Sequence, residues 1–249
     1  MMPETLSALA GAVAWFAAFP GDASLLWTGV TLAAYFSTMT LYRRSAGHPF
    51  LLPVLTGTAV VVALLLATGT SYENYFIAVA PLVFMIGPAT VALAVPLFGQ
   101  LSRLRSIWLP VTAALCVGSA VAIGSAVLIA WAFGGDAQTL MSLAPKSSTM
   151  PIATSLSGHF GGLVPLAAAA VALTGIAGTM LSGPVLRRVL GPLDDAAQGF
   201  ALGLTAHAIG TARALQISGT AGAFAALAMS LNGVMTALWL SLAFFVFHS

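Results

Sequence analysis

Two cations lie in stretches otherwise suited to lipid. Lys146 sits in SLAPKSSTMPIA (residues 142–153), flanked by Pro145 and Pro151 and followed by Ser147, Ser148 and Thr149. Two prolines six apart remove backbone donors and forbid a continuous helix. An ammonium, hydroxyls and freed amide groups are the equipment for holding an anion. Arg213 ends GFALGLTAHAIGTAR (residues 199–213), after His207 and Thr211. A guanidinium holds a carboxylate in a bidentate fork, and an imidazole can relay a proton or donate a hydrogen bond. Plainer roles compete. Lys146 can snorkel from a hydrated outer loop, Arg213 can cap a helix at the membrane edge, and His207 can make a structural interhelical hydrogen bond. His159 and His248 read as interfacial.

The elements that must position these groups are membrane helices. Of 249 residues, 59% are hydrophobic and 6% charged, with mean hydropathy +1.02; a soluble domain carries about 25% charged residues. Apolar stretches recur at about the 20-residue length that spans a bilayer, and lipid requires helices with internally satisfied backbone. The alternation of a β-barrel is absent. The fold class is therefore an all-α polytopic membrane protein, with about 7–8 transmembrane helices plus broken or re-entrant segments. The spans read as residues 6–19, 24–42, 50–68, 75–98, 107–133, 163–181 and 222–247, with 140–156 and 196–215 ambiguous. The net charge of +2 comes from few ions, and no basic tract points to nucleic acid. Cys116 stands alone, which excludes an intrachain disulfide and a cysteine-rich metal site. No nucleophile–base pair, metal-spaced cluster or phosphate loop is visible, so neither an enzyme nor a cofactor is expected.

Six cations form three groups: Arg43-Arg44, Arg103 with Arg105, and Arg187-Arg188. The positive-inside rule puts all three on the cytoplasmic side if residues 140–156 enter and leave by the outer face. The N-terminus is then cytoplasmic. Gly199 and Gly203 form a G-x-x-x-G, and Gly210 follows on nearly the same face, a stripe that admits another backbone. Gly87-Pro88 is a simple kink or a further broken helix. Hinge candidates are Gly87, Pro88, Pro145, Pro151 and Gly210. A uniform span precedes each odd segment, and the two spans run in opposite directions, the layout of an inverted repeat with broken segments meeting near the midplane.

Several strings give the sequence a family likeness: GPATVALAVPL (87–97), SLAPKSSTMPIA (142–153), GHFGG (158–162), LTGIAG (173–178), AHAIGTARAL (206–215) and GAFAALAMSLNG (222–233). Together they resemble the LrgB/CidB family of bacterial membrane proteins, covering about residue 50 to the C-terminus. The resemblance implies one integral membrane domain, with residues 1–48 as a scaffold or oligomerisation part and 49–249 as a transport core. It implies either a carrier of small monocarboxylates such as pyruvate, lactate or glycolate, as in the similar plant plastid glycolate/glycerate translocator, or a holin/antiholin-like modulator of murein hydrolase export acting with an LrgA/CidA-type partner. Carried onto this chain, the substrate-binding positions are Lys146, Ser147, Thr149, His207, Thr211 and Arg213. Family members commonly have an acid after the AHAIGTARAL string, where this chain has Gln216 and Ser218. Proton coupling then falls to His207, Asp195 or Glu73. The carrier is the expected function, in the bacterial inner membrane, as a homodimer, with a small organic anion as ligand. A pore-former has no need of a cation inside a doubly broken segment, whereas an anion carrier does.

Overall fold

The computed structural model describes residues 21–45, 48, 51–92, 95, 98–191 and 193–248. The expected first span, residues 6–19, lies outside these. The described residues form helices α1 (Gly21–Arg44), α2 (Pro53–Thr68), α3 (Tyr72–Ala78), α4 (Ala80–Ala92), α5 (Leu101–Ser106), α6 (Trp108–Ala132), α7 (Ala137–Leu143), α8 (Met150–His159), α9 (Val164–Leu190), α10 (Asp195–Ile217) and α11 (Gly219–His248). The chain is an all-α membrane protein. It divides into two compact units, Met1–Thr90 and Val91–Ser249, whereas the sequence suggested a division after residue 48.

In the first unit polar and aromatic side chains join α3 to α1, while α2 packs on α1 where a Cβ on Gly57 would meet Thr38 Oγ1 at 3.4 Å. Ser24 Oγ donates to the Ala78 carbonyl at 2.8 Å, Thr31 Oγ1 meets the Tyr75 hydroxyl at 3.1 Å, and Trp27 packs edge-on against Tyr75. Gly69, at φ 65°, ends α2 in a left-handed cap, and the chain turns by 118° into α3. The expected span at 75–98 is thereby split: its break falls at Val79, while α4 runs on through Gly87 and Pro88.

Three helices among the described residues are long and apolar enough to cross a bilayer: Trp108–Ala132, Val164–Leu186 and Gly219–Val246. Counting the bent α2–α3 pair adds a fourth. This is fewer than the 7–8 expected: residues 6–19 lie outside the described residues, Gly21–Arg44 is not among the helices apolar enough to cross, and the stretches 50–68 and 75–98 yield only the bent pair and the short helix α4. Arg103 pairs with Asp194 and lies over the Phe224 ring at 5.6 Å. So α5, the start of α10 and the start of α11 share one end of the second unit, and the C-terminal end of α9, just before Asp194, lies there too. At the other end Phe160 packs on Phe244, ring centroids 5.2 Å apart. Trp239 Nε1 donates to Ser119 Oγ at 3.0 Å, joining α11 to α6.

Candidate functional site

The first fold-back is α7, a turn at 144–149, and α8. Asp136 caps α7, accepting from the Thr139 amide at 2.8 Å. The Thr139 side chain, and then that amide, hold the Asp136 carboxyl below its usual range. Pro145 and its neighbours abolish the helix at 144–149, and Pro151 restarts it in the first turn of α8, where a missing N–H costs nothing. The excursion closes on itself. The Leu163 amide donates to Ser142 Oγ at 2.7 Å, and a Cβ on Gly162 would stand 2.8 Å from the Ser142 nitrogen. Segment 142–163 therefore returns to where it began.

The second fold-back is α10. Its backbone breaks at His207, whose φ of 40° and ψ of −126° are not helical. Residues 195–206 and 208–217 form two half-helices in sharp reversal. A Cβ on Gly210 would lie 2.2 Å from the Leu202 carbonyl oxygen, eight residues back; a straight helix separates such residues by about 12 Å. The outgoing half runs parallel to α11 in close contact, since a Cβ on Gly199 or Gly203 would lie 2.1 Å from the carbonyl oxygens of Ala221 and Ala225. The returning half comes back beside the start of α11, where Leu215 packs on Gly222. Asp194 fixes the entry by accepting from the Ala197 amide at 2.8 Å. That bond, and then Arg103, hold its carboxyl below the usual range.

The two hairpins enter from opposite ends and meet. Asn232 of α11 joins them: its Nδ2 donates to the Ser147 carbonyl at 2.7 Å and to the Leu204 carbonyl at 3.3 Å. Asn232 lies near the middle of Gly219–Val246, about 20 Å from either end at 1.5 Å per residue. Of the expected site residues, this brings together Lys146, Ser147, Thr149, His207 and Thr211. The half-buried Lys146 Nζ donates to Ser147 Oγ at 3.3 Å. Among the described residues it has no ion-pair partner. Ser148 Oγ donates to the Pro145 carbonyl at 3.0 Å. Thr149 stands at the start of α8 with its hydroxyl unused in capping.

His207 is 3% exposed, with Nε2 3.0 Å from the Val171 carbonyl oxygen. A carbonyl only accepts, so Nε2 carries the proton and Nδ1 is the acceptor of the neutral ring. Gly175 makes room for the ring, since a Cβ there would fall 2.6 Å from His207 Cε1. Thr211 Oγ1 donates to the His207 carbonyl at 2.9 Å, bracing the break from below.

Arg213 and Asp195 stand apart from the tips. Arg213 is six residues beyond the break, about 9 Å down the returning half-helix, with Nη1 3.2 Å from Gln216 Oε1. Asp195 is exposed in the first turn of α10, about 18 Å of helix from His207. Glu73 is in the first turn of α3, in the other unit. Asn232 was not anticipated as a site residue, although a lone carboxamide midway along an apolar span is a recognisable signal.

The LrgB-like family matches residues 31–246. The chain is 35% identical over 219 residues to the uncharacterized protein YxaC of Bacillus subtilis (strain 168), covering 88% of this chain and 94% of that one. It is 30% identical over 222 residues to an uncharacterized protein of Haemophilus influenzae, covering 89% and 94%. It is 29% identical over 209 residues to the antiholin-like protein LrgB of Bacillus mycoides (strain KBAB4), covering 83% and 90%. No solved structure matches it significantly.

Proposed function

This chain belongs to the LrgB-like family, and from that premise we propose that it carries small monocarboxylates of the pyruvate, lactate or glycolate type across the bacterial cytoplasmic membrane. One observation carries the reading: the Lys146 ammonium stands where two opposed hairpins meet, with a neutral hydroxyl at 3.3 Å and no carboxylate paired to it among the described residues. A charge at that depth is costly without a counter-charge, and an anionic ligand supplies one. The half-helices α8 and 208–217 both begin at the tips, so the positive ends of their dipoles face the same place. Hydroxyls of Ser147 and Thr149 are at hand as donors, Thr211 spends its proton on the His207 carbonyl and lines the site through its position, and His207 is the candidate for proton coupling. Arg213 is the more peripheral candidate, a way-station on the path toward the arginine-rich end.

By the positive-inside rule that end, with Arg103, Arg105, Arg187 and Arg188, is cytoplasmic; the first hairpin then opens outward and the second inward. Opposed hairpins meeting at mid-depth are the layout of an inverted repeat. Movement of one hairpin relative to α6, α9 and α11 would alternate access. A homodimer and an LrgA/CidA-type partner belong to the same proposal.

The test is uptake of labelled pyruvate, lactate and glycolate into proteoliposomes. Lys146→Ala should lower uptake about a hundredfold, the scale of removing one partner of a desolvated charge pair, and Lys146→Arg should retain part of it. Native uptake by Lys146→Ala would refute the site. A second reading, an antiholin-like modulator of murein hydrolase export, is favoured by the name of the Bacillus mycoides relative. It predicts no substrate-specific flux and altered hydrolase release from cells lacking the protein.

A further inference from the structure

Asn232 is 1% exposed and is committed in an uncommon way. Its NH2 group has two hydrogens, and each goes to a carbonyl of a different hairpin: Ser147 in the non-helical turn of the first, Leu204 just before the break of the second. Both carbonyls lack the partner a continuous helix would give them. Ser147 lies outside any helix, and the amide four residues beyond Leu204 is carried away by the turn at His207. One side chain thus satisfies an orphaned acceptor on each tip. The roles of its oxygen and nitrogen are fixed by this, because a carbonyl needs a donor.

The other half of the carboxamide is left over. Asn232 Oδ1 is buried and has no hydrogen-bond partner among the described residues. The apposed tips are held by those two bonds, while the acceptor half of the same carboxamide is engaged by neither hairpin. Such a state is poised for opening, since separation lets water reach the amide oxygen and both carbonyls. The surroundings are otherwise matched to closure: Gly233 receives Ile152 of α8, and Thr236 ties its hydroxyl to the Asn232 carbonyl at 2.7 Å, keeping α11 intact at this level.

We infer that Asn232 is a positioning residue that latches the two hairpin tips together, and that release of one of its two carbonyl bonds is the step that parts them. For what the parting achieves, this rests on the carrier reading; the latch itself is measurable without a substrate. Spin labels at Met150→Cys and Thr205→Cys, one on each hairpin, would report their separation in nanodiscs, in a Cys116→Ser background. With Asn232 present a single short distance should dominate. Asn232→Leu should raise the ratio of separated to apposed tips about tenfold, the bias expected from net loss of one such hydrogen bond, whereas Thr236→Val should leave it unchanged.

Asn232→Gln keeps an NH2 group but displaces it by a methylene, so it should hold one tip and give a partial shift; this variant carries the test if the leucine variant does not fold. In uptake, both Asn232 variants should alter the maximal rate while leaving KM near the native value, because the side chain touches the hairpins and not the anion. A native distance distribution in the folded Asn232 variants overturns the latch, even if Lys146→Ala abolishes uptake. Tips that part in Asn232→Leu, while the native protein takes up none of the labelled acids, would support the latch and overturn the carrier reading instead.

Discussion

Substituting alanine for Gly203 should be among the most damaging single-methyl additions to the second unit. The added Cβ would lie 2.1 Å from the Ala225 carbonyl oxygen and 2.7 Å from its carbon and Cα. That is 0.9 Å inside the 3.0 Å that real Cβ atoms respect. All three obstructing atoms are helix backbone, so no rotamer change relieves the clash, and the outgoing half of α10 must move off α11. Overpacking of this kind costs typically 1–3 kcal/mol and occasionally more; with two rigid backbones the upper value, about 3 kcal/mol, is expected. For a chain of this length each kcal/mol lowers Tm by roughly 2–4 °C, so a fall of about 6 °C or more should appear in a thermal unfolding series in detergent.

Two other glycines serve as controls for the same change. At Gly118 the new methyl meets Leu204 Cδ2 at 2.4 Å, the far end of a flexible side chain that can turn away, so the loss should be under about 1.5 kcal/mol. At Gly87, within α4, nothing lies within 4 Å, and Gly87→Ala should be neutral or stabilising by about 0.5–1 kcal/mol. A Gly203→Ala protein as stable as Gly87→Ala would refute the close parallel packing of α10 on α11.

Two further predictions concern the ends of the same hairpin. His207 holds φ 40°, so His207→Gly should preserve the fold better than His207→Val, whose branched Cβ disfavours that backbone by about 1–2 kcal/mol more; equal Tm values would argue against the break. Asp194 has its carboxyl pKa lowered in the folded state by the Ala197 amide and Arg103. Its contribution is therefore present above its unfolded value, near 3.8, and is lost as pH falls through the lower folded value. Asp194→Ala should cost about 1 kcal/mol at neutral pH as a lost N-cap and flatten the acid limb of the stability profile, read by denaturation at stepped pH.

Much of the second unit was legible because charge and proline leave marks that hydropathy alone does not. Arg103, Arg105 and the pair at 187–188 can share a side only with an even number of crossings between them. That arithmetic singled out 140–156, and the bond from Leu163 to Ser142 is its structural form. The strings that carried the family likeness turn out to be hairpin contacts: Gly175 seats His207, Gly162 closes the first hairpin and Gly233 receives Ile152. The location of the second break was less legible. A histidine at positive φ has no sequence signature, and the reversal depends on Gly210 meeting Leu202, a contact between residues that helical periodicity would separate. Gly87-Pro88 left a kink and a break equally open in the sequence, and the helix runs on through Pro88. Arg213 stood out by charge, but depth depends on where the turn falls, and six residues of the returning half-helix carry it away from the tip.

The closed first hairpin also bears on how the protein is made. Because Ser142 and Leu163 meet, the segment that carries Lys146 leaves and returns at one end of the second unit. Its proline-interrupted backbone is sheltered only once α6, α9 and α11 are all in place, and α11 is the last of them to be synthesised. Apposition of the two hairpin tips must therefore wait for α11: until Asn232 is made, neither hairpin has its shared anchor.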